Sequence, residues 1–270
     1  GVDHVSYYTL ASLHPELEGI PYWRGVDGHL MENQERYKAL YDDLYDDYSR
    51  TVMQRVIGFR DSGNIEHMRG FSNRIHKMYL ENFLTIPPRS TYFDIGALDG
   101  ENSVQYLEKY PDAACVLAIE PFASDTLKRW ERDSEVGRVL EVAIADKVGE
   151  AFFDVASNVA SSRLLESSSS VEDLNDMPAK TMTLDSVWRH QDVIPDFIKM
   201  DIEGSEMQAL MGGSELLRNH TPDLAVSVYH NVDHILEVYE FLKDLGQQWR
   251  YRLDHYSEGF AETVLYATKR

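Results

Sequence analysis

The chain has 270 residues, 43% of them hydrophobic, which is enough to bury one core of ordinary size. Its formal net charge of −20 and its pI of about 4.8 argue against nucleic acid and anionic membranes as partners, because phosphate groups repel an acidic surface. Cys115 is the single cysteine, so no disulfide can form within the chain, and no run reaches the roughly 20 apolar residues of a membrane span. Because the chain begins with no basic-then-apolar leader, we expect a cytoplasmic protein.

Residues 1–88 are predicted to form a mostly helical N-terminal extension. Residues 32–60 carry apolar side chains at helical spacing, with tyrosines on one face and aspartates on the other. A second helical pattern over 64–84 ends at Pro87-Pro88, since the residue before a proline disfavours the helical conformation. We expect this extension to serve substrate choice or assembly, and its helices are a candidate surface for a homo-oligomer.

The stretch from Ser90 to Gly100 predicts a strand, a turn and the start of a helix. Its apolar run suits a buried strand, and Gly96 and Gly100 then permit a tight turn and a close approach of the backbone to a ligand. The dinucleotide fingerprint is incomplete, because Leu98 stands where one of its three glycines is required, and no P-loop lysine follows. The turn indicates a nucleotide-like ligand at the carboxyl end of a parallel sheet without deciding which one.

Residues 89–270 alternate strands and helices, which predicts a parallel sheet with helices on both faces. A short turn-rich link joins the last two strands, so we expect these strands to form an antiparallel hairpin. An insert at about 150–190 contains the serine run 167–170, which we interpret as a flexible loop that could also act as a lid. The expected strands are 90–96, 114–120, 138–145, 196–201, 223–230, 248–255 and 262–268, and the expected helices between them are 101–110, 123–133, 205–219 and 232–246.

Three carboxylates follow predicted strands. Glu120 ends the second strand about 20 residues after the glycine turn, where a carboxylate can accept hydrogen bonds from both hydroxyls of a ribose. Asp201 and Glu203 follow the fourth strand, and such a pair can orient a cationic cofactor, hold a metal or take a proton from a hydroxyl. The structural alternatives are a charged strand end for Glu120, the capping of backbone amides by Glu203 and the support of a loop by Asp201.

Several motifs, in the same order along the chain, resemble those of the FkbM family of S-adenosylmethionine-dependent methyltransferases. The resemblance covers about residues 90–268 and does not extend to residues 1–85. Leu98 is a mild departure from the usual small polar residue of the first motif. The matching segments are DIGALDG at 94–100, VAIADKVGEAFF at 142–153, TLD at 183–185, FIKMDIEGSE at 197–206 with the following MQALMGG, and the closing segments 225–230, 251–256 and 262–266.

The resemblance implies an α/β fold of the Rossmann-like class I methyltransferase type, with a mostly parallel seven-stranded sheet that ends in an antiparallel hairpin. It implies S-adenosylmethionine as the cofactor and O-methylation of a sugar, glycan or similar polyhydroxylated natural product. The alternatives are an N-methyltransferase of a small molecule or peptide and a non-catalytic cofactor-binding assembly protein. Carried over by position, the cofactor residues are Asp94, Gly96 and Asp99 at the methionine end, Glu120 at the ribose, Ala143 and Ile144 near the adenine, and Asp201 near the amino acid moiety.

His230 is the leading candidate for the base that deprotonates the acceptor. It stands at the carboxyl end of the fifth strand, where such sheets bind ligands, and an unperturbed imidazole pKa of about 6.5 suits the task. Asp201 and Glu203 are expected to act beside it. The alternative is a histidine that only hydrogen-bonds a loop carbonyl.

Two further expectations concern metal and acceptor. A divalent metal held by Asp201, Glu203, His230 and His234 ranks below a metal-free histidine base, because the change from strand to helix falls between the two histidines. Arg163 in the insert and His255 on the far edge of the sheet are predicted to contact the acceptor.

Overall fold

This structure, a computed structural model, describes residues 28–154, 163–165 and 176–269. The serine run at 167–170 lies outside these described residues. The strands, numbered in chain order, are β1 Thr91–Ile95, β2 Cys115–Ile119, β3 Gly137–Leu140, β4 Ala143–Ile144, β5 Gly149–Asp154, β6 Arg163–Leu165, β7 Asp176–Met182, β8 Phe197–Met200, β9 Asp223–Ser227, β10 Trp249–His255 and β11 Thr263–Lys269. The helices are α1 His29–Glu32, α2 Gln34–Asp43, α3 Asp47–Ser62, α4 Glu101–Lys109, α5 Asp125–Asp133, α6 Leu184–Gln191, α7 Glu206–Met211, α8 Ser214–His220 and α9 His234–Asp244.

Seven strands form the main sheet in the order β10-β11-β9-β8-β1-β2-β3. The strands from β9 through β3 are parallel, whereas β11 runs antiparallel to both β9 and β10. The predicted α/β fold with a closing antiparallel hairpin is therefore confirmed. The remaining strands form a second sheet in the order β4-β7-β5-β6, most of it built from the insert.

Three expected elements after residue 60 differ from the structure. The predicted strand 138–145 is divided between β3 in the main sheet and β4 in the second sheet, because the chain changes partner strand between them. The predicted helix 205–219 is two helices, α7 and α8. The predicted helix 64–84 is wrong: this stretch contains only the short 3₁₀ turns Ile65–Met68 and Ile75–Lys77.

Alternate side chains of the central strands belong to two different hydrophobic clusters. Phe93 and Ile95 of β1 belong to a cluster that includes residues of α2, α3 and α6 to α9. Tyr92, on the opposite face, packs with Tyr106 of α4 and with buried residues of the segment 78–84. The period of two along a strand explains the division, and buried contacts on both faces leave the strand ends as the place for a ligand.

The described part of the N-terminal extension packs directly on the sheet. Leu40 and Leu44 belong to the same hydrophobic cluster as the buried residues of the central strands. The expected single helix is interrupted after Asp43, and Asp46 caps α3 by accepting a hydrogen bond from the amide of Ser49 at 2.8 Å. Substrate choice and assembly by this extension remain predictions.

Cys115 is buried in β2. Within the described ranges, none of the helices combines the length and apolar character that a membrane span needs.

Candidate functional site

A cleft opens at the carboxyl ends of β1, β2 and β8. The chain leaves β1 toward β2 on one side, while β8 pairs with the other side, so the cleft lies at the point where the order of the strands reverses. It contains about 730 Å³ of space free of protein atoms, part of which is open to solvent. Its lining residues are Ile95, Gly96, Leu98, Ile119, Glu120, Pro121, Phe122, Val142, Ala143, Ile144, Phe153, Asp201, Ile202, Glu203 and Ser205.

Gly96 forms the floor of the cleft where two loops meet. Its φ of +76° lies in the left-handed region, and a Cβ atom there would stand 1.9 Å from the carbonyl oxygen of Asp201. Only glycine fits this contact. The ammonium group of Lys199 donates to the Gly96 carbonyl at 2.6 Å and to the Ile95 carbonyl at 3.2 Å, which fixes the turn from below.

The two aspartates of the first motif do not line the cleft. Asp94 is fully buried, where it accepts a hydrogen bond from Ser103 at 2.7 Å and pairs with Lys199 at 3.2 Å. Asp99 is exposed at the start of α4, and its carboxylate accepts from the amide of Glu101 at 3.2 Å. Asp94 therefore supports the turn through Lys199 in this structure, and direct ligand contacts by either aspartate remain predictions.

Glu120 is held in the cleft by two backbone amides. Its Oε2 accepts from the amide of Leu98 at 3.0 Å and its Oε1 from the amide of Phe122 at 3.2 Å. Burial raises the pKa of this carboxyl, and the two amides act in the opposite direction. Each oxygen has a second lone pair, so the oriented carboxylate can accept further hydrogen bonds from a ligand.

An aromatic pair closes the far end of the cleft. Ala143 and Ile144 are buried there and line the cleft, and their place near an adenine remains a prediction. The rings of Phe122 and Phe153 stand edge to face with centroids 5.5 Å apart. Neither phenylalanine was expected from the sequence, although Phe153 ends the segment 142–153 that resembles the family.

At the opposite end, three titratable side chains face one another. The Nε2 atom of His230 lies 3.5 Å from Oδ1 of Asp201 and 3.5 Å from Oε2 of Glu203. Asp201 and Glu203 line the cleft, whereas the His230 side chain is almost completely buried behind them. The structure therefore brings together the three residues predicted for catalysis.

Glu206, which the sequence analysis did not single out as a site residue, holds His230 from behind. Its Oε1 accepts from the amides of Ile202 at 2.9 Å and Gly204 at 3.4 Å, and it lies 2.9 Å from Nδ1 of His230. Backbone amides can only donate, so this oxygen is an acceptor and Nδ1 carries the hydrogen. Nε2 is thereby the nitrogen that faces Asp201 and Glu203. The position of Glu206 in the fourth-strand motif was the signal that could have identified it.

The pKa of His230 differs from the value of 6.5 that was expected for an unperturbed imidazole. Burial lowers the pKa of His230, but the hydrogen bond to Glu206 and the charges of Glu206, Asp201 and Glu203 outweigh it and raise the value to about 9. Burial raises the pKa of Glu203 to about 7. At neutral pH, His230 is thus an imidazolium beside a carboxyl group that is near its midpoint.

Tyr79 reaches this cluster from the N-terminal extension. Its hydroxyl donates to Oδ2 of Asp201 at 2.8 Å and lies 2.9 Å from Oγ of Ser227. The sequence analysis missed Tyr79, because its segment was interpreted as part of a helix. No local pattern around Tyr79 indicated that contact.

The family model described as "Methyltransferase FkbM domain" matches residues 94–253, more than half of the chain. The chain belongs to the FkbM methyltransferase family. The match begins at Asp94 of the glycine turn and includes Glu120, Asp201 and His230, so it spans the cleft described above.

A solved structure of a methyltransferase shares the fold. The methyltransferase FkbM from Methylobacillus flagellatus KT is 22% identical, with a TM-score of 0.74 over 90% of this chain and 60% of that one. This chain thus spans less than two thirds of that protein, and at this identity the likeness supports the fold alone. Fibrillarin from Aeropyrum pernix in complex with S-adenosyl-L-methionine is 12% identical over 74% of this chain and 75% of that one, with a TM-score of 0.43, too low to carry an argument. Among curated proteins, none matches the chain.

The two predicted acceptor contacts of this family member have different outcomes. His255 is fully buried, with Nδ1 2.9 Å from Oγ1 of Thr263 and Nε2 3.3 Å from Oγ of Ser257. It cannot touch an acceptor in this arrangement, so that prediction is corrected: His255 joins the hairpin β10–β11. The side chain of Arg163 lies outside the described part of the structure, and its role remains a prediction.

The side chains that could hold a metal in this structure differ from the predicted set of Asp201, Glu203, His230 and His234. The donor atoms of Asp201, Glu206 and His230 lie within 4.8 Å of one another. His234 instead faces the other side of Glu206, with Nδ1 3.3 Å from Oε2. Oε1 of Glu206 already accepts from two amides and from His230, and the metal-free histidine base remains a prediction.

Proposed function

We propose that the chain binds S-adenosylmethionine in the cleft and transfers its methyl group to a hydroxyl of a sugar, glycan or similar polyhydroxylated natural product. The observation that carries this proposal is Glu120, a carboxylate held by two amides between the glycine turn and the apolar end of the cleft. A ribose bound by both its hydroxyls fits such a carboxylate.

The neighbouring residues suit the other parts of that cofactor. We assign the adenine to the end lined by Ala143, Ile144 and the pair Phe122 and Phe153, where a flat ring finds apolar partners. The amino acid moiety then extends past Gly96 toward Asp201, whose carboxylate suits an ammonium group.

The same placement brings the sulfonium methyl toward the cluster of Asp201, Glu203 and His230. The acceptor oxygen attacks the methyl carbon, the carbon–sulfur bond breaks, and its electron pair stays on sulfur to give the thioether. The cofactor is already activated, so positioning supplies much of the rate. The hydroxyl proton goes to a base of the chain.

Glu203 is the proposed base. Its carboxylate lines the cleft and its pKa of about 7 matches neutral operating conditions, whereas His230 is buried and already carries a proton. His230 then orients Asp201 and Glu203 as a cation. In this proposal Glu203 replaces His230 as the base, because His230 is buried and its pKa is raised.

The charges of the cleft limit the chemical classes of acceptor that fit it. The lining residues named above include the carboxylates of Glu120, Asp201 and Glu203 and no lysine or arginine. Such a lining favours an uncharged polyol over a phosphorylated one, because carboxylates repel phosphate. It also suits a cationic amine, which keeps N-methylation as the second candidate.

Calorimetric titration with S-adenosylmethionine tests the proposal. We expect the parent chain to bind the cofactor and Glu120→Ala to bind it about ten- to a hundredfold more weakly, since two hydrogen bonds to a charged group are lost. Glu131→Ala is the matched control, because Glu131 also accepts from a backbone amide, that of Val139 at 2.7 Å, but outside the cleft. Absence of binding by the parent, or equal binding by both variants, would overturn the assignment.

A transfer assay with isotope-labelled cofactor addresses the acceptor. Neutral sugars and glycans, their phosphorylated forms and simple amines are compared under the same conditions. We expect neutral polyols to be labelled and phosphorylated ones to be poor acceptors. Labelling of amines alone would replace O-methylation by N-methylation.

A further inference from the structure

Tyr79 occupies an unusual place in the N-terminal extension. It lies in the segment 78–84, which covers the face of the main sheet opposite the large helical layer. Its side chain is completely buried, and its φ of 70° lies in the left-handed region that residues other than glycine seldom adopt. Since this backbone conformation is unfavourable for tyrosine, the surrounding contacts must hold it in place.

Those contacts begin at the backbone of Tyr79. Its amide donates to the hydroxyl of Tyr266 at 3.1 Å, and the hydroxyls of Tyr266 and Tyr256 are 2.6 Å apart. The ammonium group of Lys199, which fixes the glycine turn, lies 5.4 Å from the centre of the Tyr79 ring. The ring is therefore fixed between the closing hairpin and the floor of the cleft.

The hydroxyl of Tyr79 is aimed at the end of two parallel strands. It donates to Oδ2 of Asp201, just after β8, at 2.8 Å. Because its hydrogen is used there, its oxygen accepts from the hydroxyl of Ser227, the last residue of β9, at 2.9 Å. The contacts to the other oxygen of Asp201 are longer, at 3.4 Å from the hydroxyl of Tyr229 and 3.5 Å from Nε2 of His230.

We infer that Tyr79 is a positioning residue that fixes the carboxylate of Asp201 for the ammonium end of the cofactor. This inference rests on the proposed function, in which Asp201 lies near the amino acid moiety. It makes the N-terminal extension a part of the cofactor site, although the extension lies outside the family match. Tyr79 acts through Asp201.

Two ligands that differ only at the amino acid end separate positioning from packing. S-adenosylhomocysteine and methylthioadenosine are both thioethers of adenosine, but methylthioadenosine lacks the amino acid moiety. We expect Tyr79→Phe to bind S-adenosylhomocysteine about three- to tenfold more weakly, because one hydrogen bond to a carboxylate is lost. Its affinity for methylthioadenosine should equal that of the parent.

Tyr92→Phe is the matched control. Tyr92 is also fully buried on the same face of the sheet, and its hydroxyl has no hydrogen-bond partner among the described residues. This variant should bind both ligands as the parent does. If Tyr79→Phe does not fold, Ser227→Ala replaces it, because that change keeps the Tyr79 side chain and removes the hydroxyl that donates to it.

The outcomes separate the inference from the proposed function. Unchanged affinity of Tyr79→Phe for S-adenosylhomocysteine overturns the inference. Equal weakening for both ligands also overturns it, since that result indicates a packing role only. If the parent chain itself binds neither ligand, the proposed function has failed. Selective weakening, with the control unchanged, supports Tyr79 as the positioning residue.

Discussion

His230 and His255 are both buried near the carboxyl ends of strands in one sheet, yet their pKa values move in opposite directions. The pKa of His230 is raised to about 9, and that of His255 is lowered to about 4. Burial lowers the pKa of both residues. For His230 the carboxylates of Glu206, Asp201 and Glu203 outweigh burial, whereas the guanidinium of Arg60 adds to it for His255.

Hydrogen-bond and charge partners, rather than depth of burial, set the charge of these two histidines. Glu206 gives His230 a carboxylate at 2.9 Å, while the nearest polar partner of His255 is the neutral hydroxyl of Thr263 at 2.9 Å. A buried charge needs such compensation, and a neutral ring does not. The candidate site therefore holds a charged imidazolium at His230, whereas the hairpin holds a neutral imidazole at His255.

Glu206→Gln should reduce the difference between the pKa values of His230 and His255, and we expect it to have the largest effect on stability. Without the carboxylate charge, we expect the pKa of His230 to fall from about 9 and the free energy of unfolding at neutral pH to fall by about 3 to 5 kcal/mol. NMR titration of the imidazole and urea unfolding measure the two quantities. Glu215→Gln, which removes only an exposed ion pair with Arg189, serves as the control and should leave both unchanged. An unaltered His230 pKa in Glu206→Gln would show that Glu206 does not cause the contrast.

The two histidines should also give stability opposite pH dependences. The unfolded pKa of each is about 6.5, so the neutral His255 stabilises the fold above that value, and about 3 kcal/mol is lost as the pH falls toward 4. His230 stabilises the fold below 6.5, and its contribution is lost as the pH rises through about 9.

Urea unfolding of variants at each position, measured from pH 4 to 9.5, tests these two opposite pH dependences of stability. His255→Asn should flatten the loss of stability on the acid side. His230→Asn should cost more stability at pH 6 than at pH 9.5. The same slope in the parent and in both variants would mean that neither histidine is responsible.

Glu203→Gln should sharpen the role of the cluster around His230 in transfer. As the proposed base, Glu203 must lose its proton, so turnover should rise with pH through about 7 in the parent. We expect the variant to turn over about a hundredfold more slowly and to lack that rise. Its affinity for the cofactor should stay close to that of the parent. A variant with the parental pH profile would remove Glu203 from proton transfer.

The sequence was informative where one local segment determines the geometry. Gly96 follows a buried strand in a turn that only glycine fits, and Glu120 ends the next strand, so order and spacing placed both at the same sheet edge. The hairpin of β10 and β11 followed from its short link. Each of these inferences needed only neighbours along the chain and the rule that parallel strands end together.

The remaining features depend on contacts between distant segments. Tyr79 meets Asp201 across 122 positions of sequence, and its apolar neighbours showed a helical spacing although they cover a sheet in an irregular segment. His255 is a polar residue at a strand end, like His230, and only the packing of the hairpin distinguishes the two. Glu206 resembled a first-turn helix residue until the fold brought His230 beside it.

The bounds of the family match have a practical consequence for any shortened form of the chain. A fragment that ends at residue 253 lacks β11, which lies between β9 and β10 in the sheet. Both strands would then present unpaired backbone groups, and a fragment that also begins at residue 94 would leave Phe197 and Ala225 without their cover from segment 78–84. Unpaired strand edges beside a bare apolar surface promote aggregation. A shortened form that keeps the sheet paired and covered therefore has to include both flanks of the matched region.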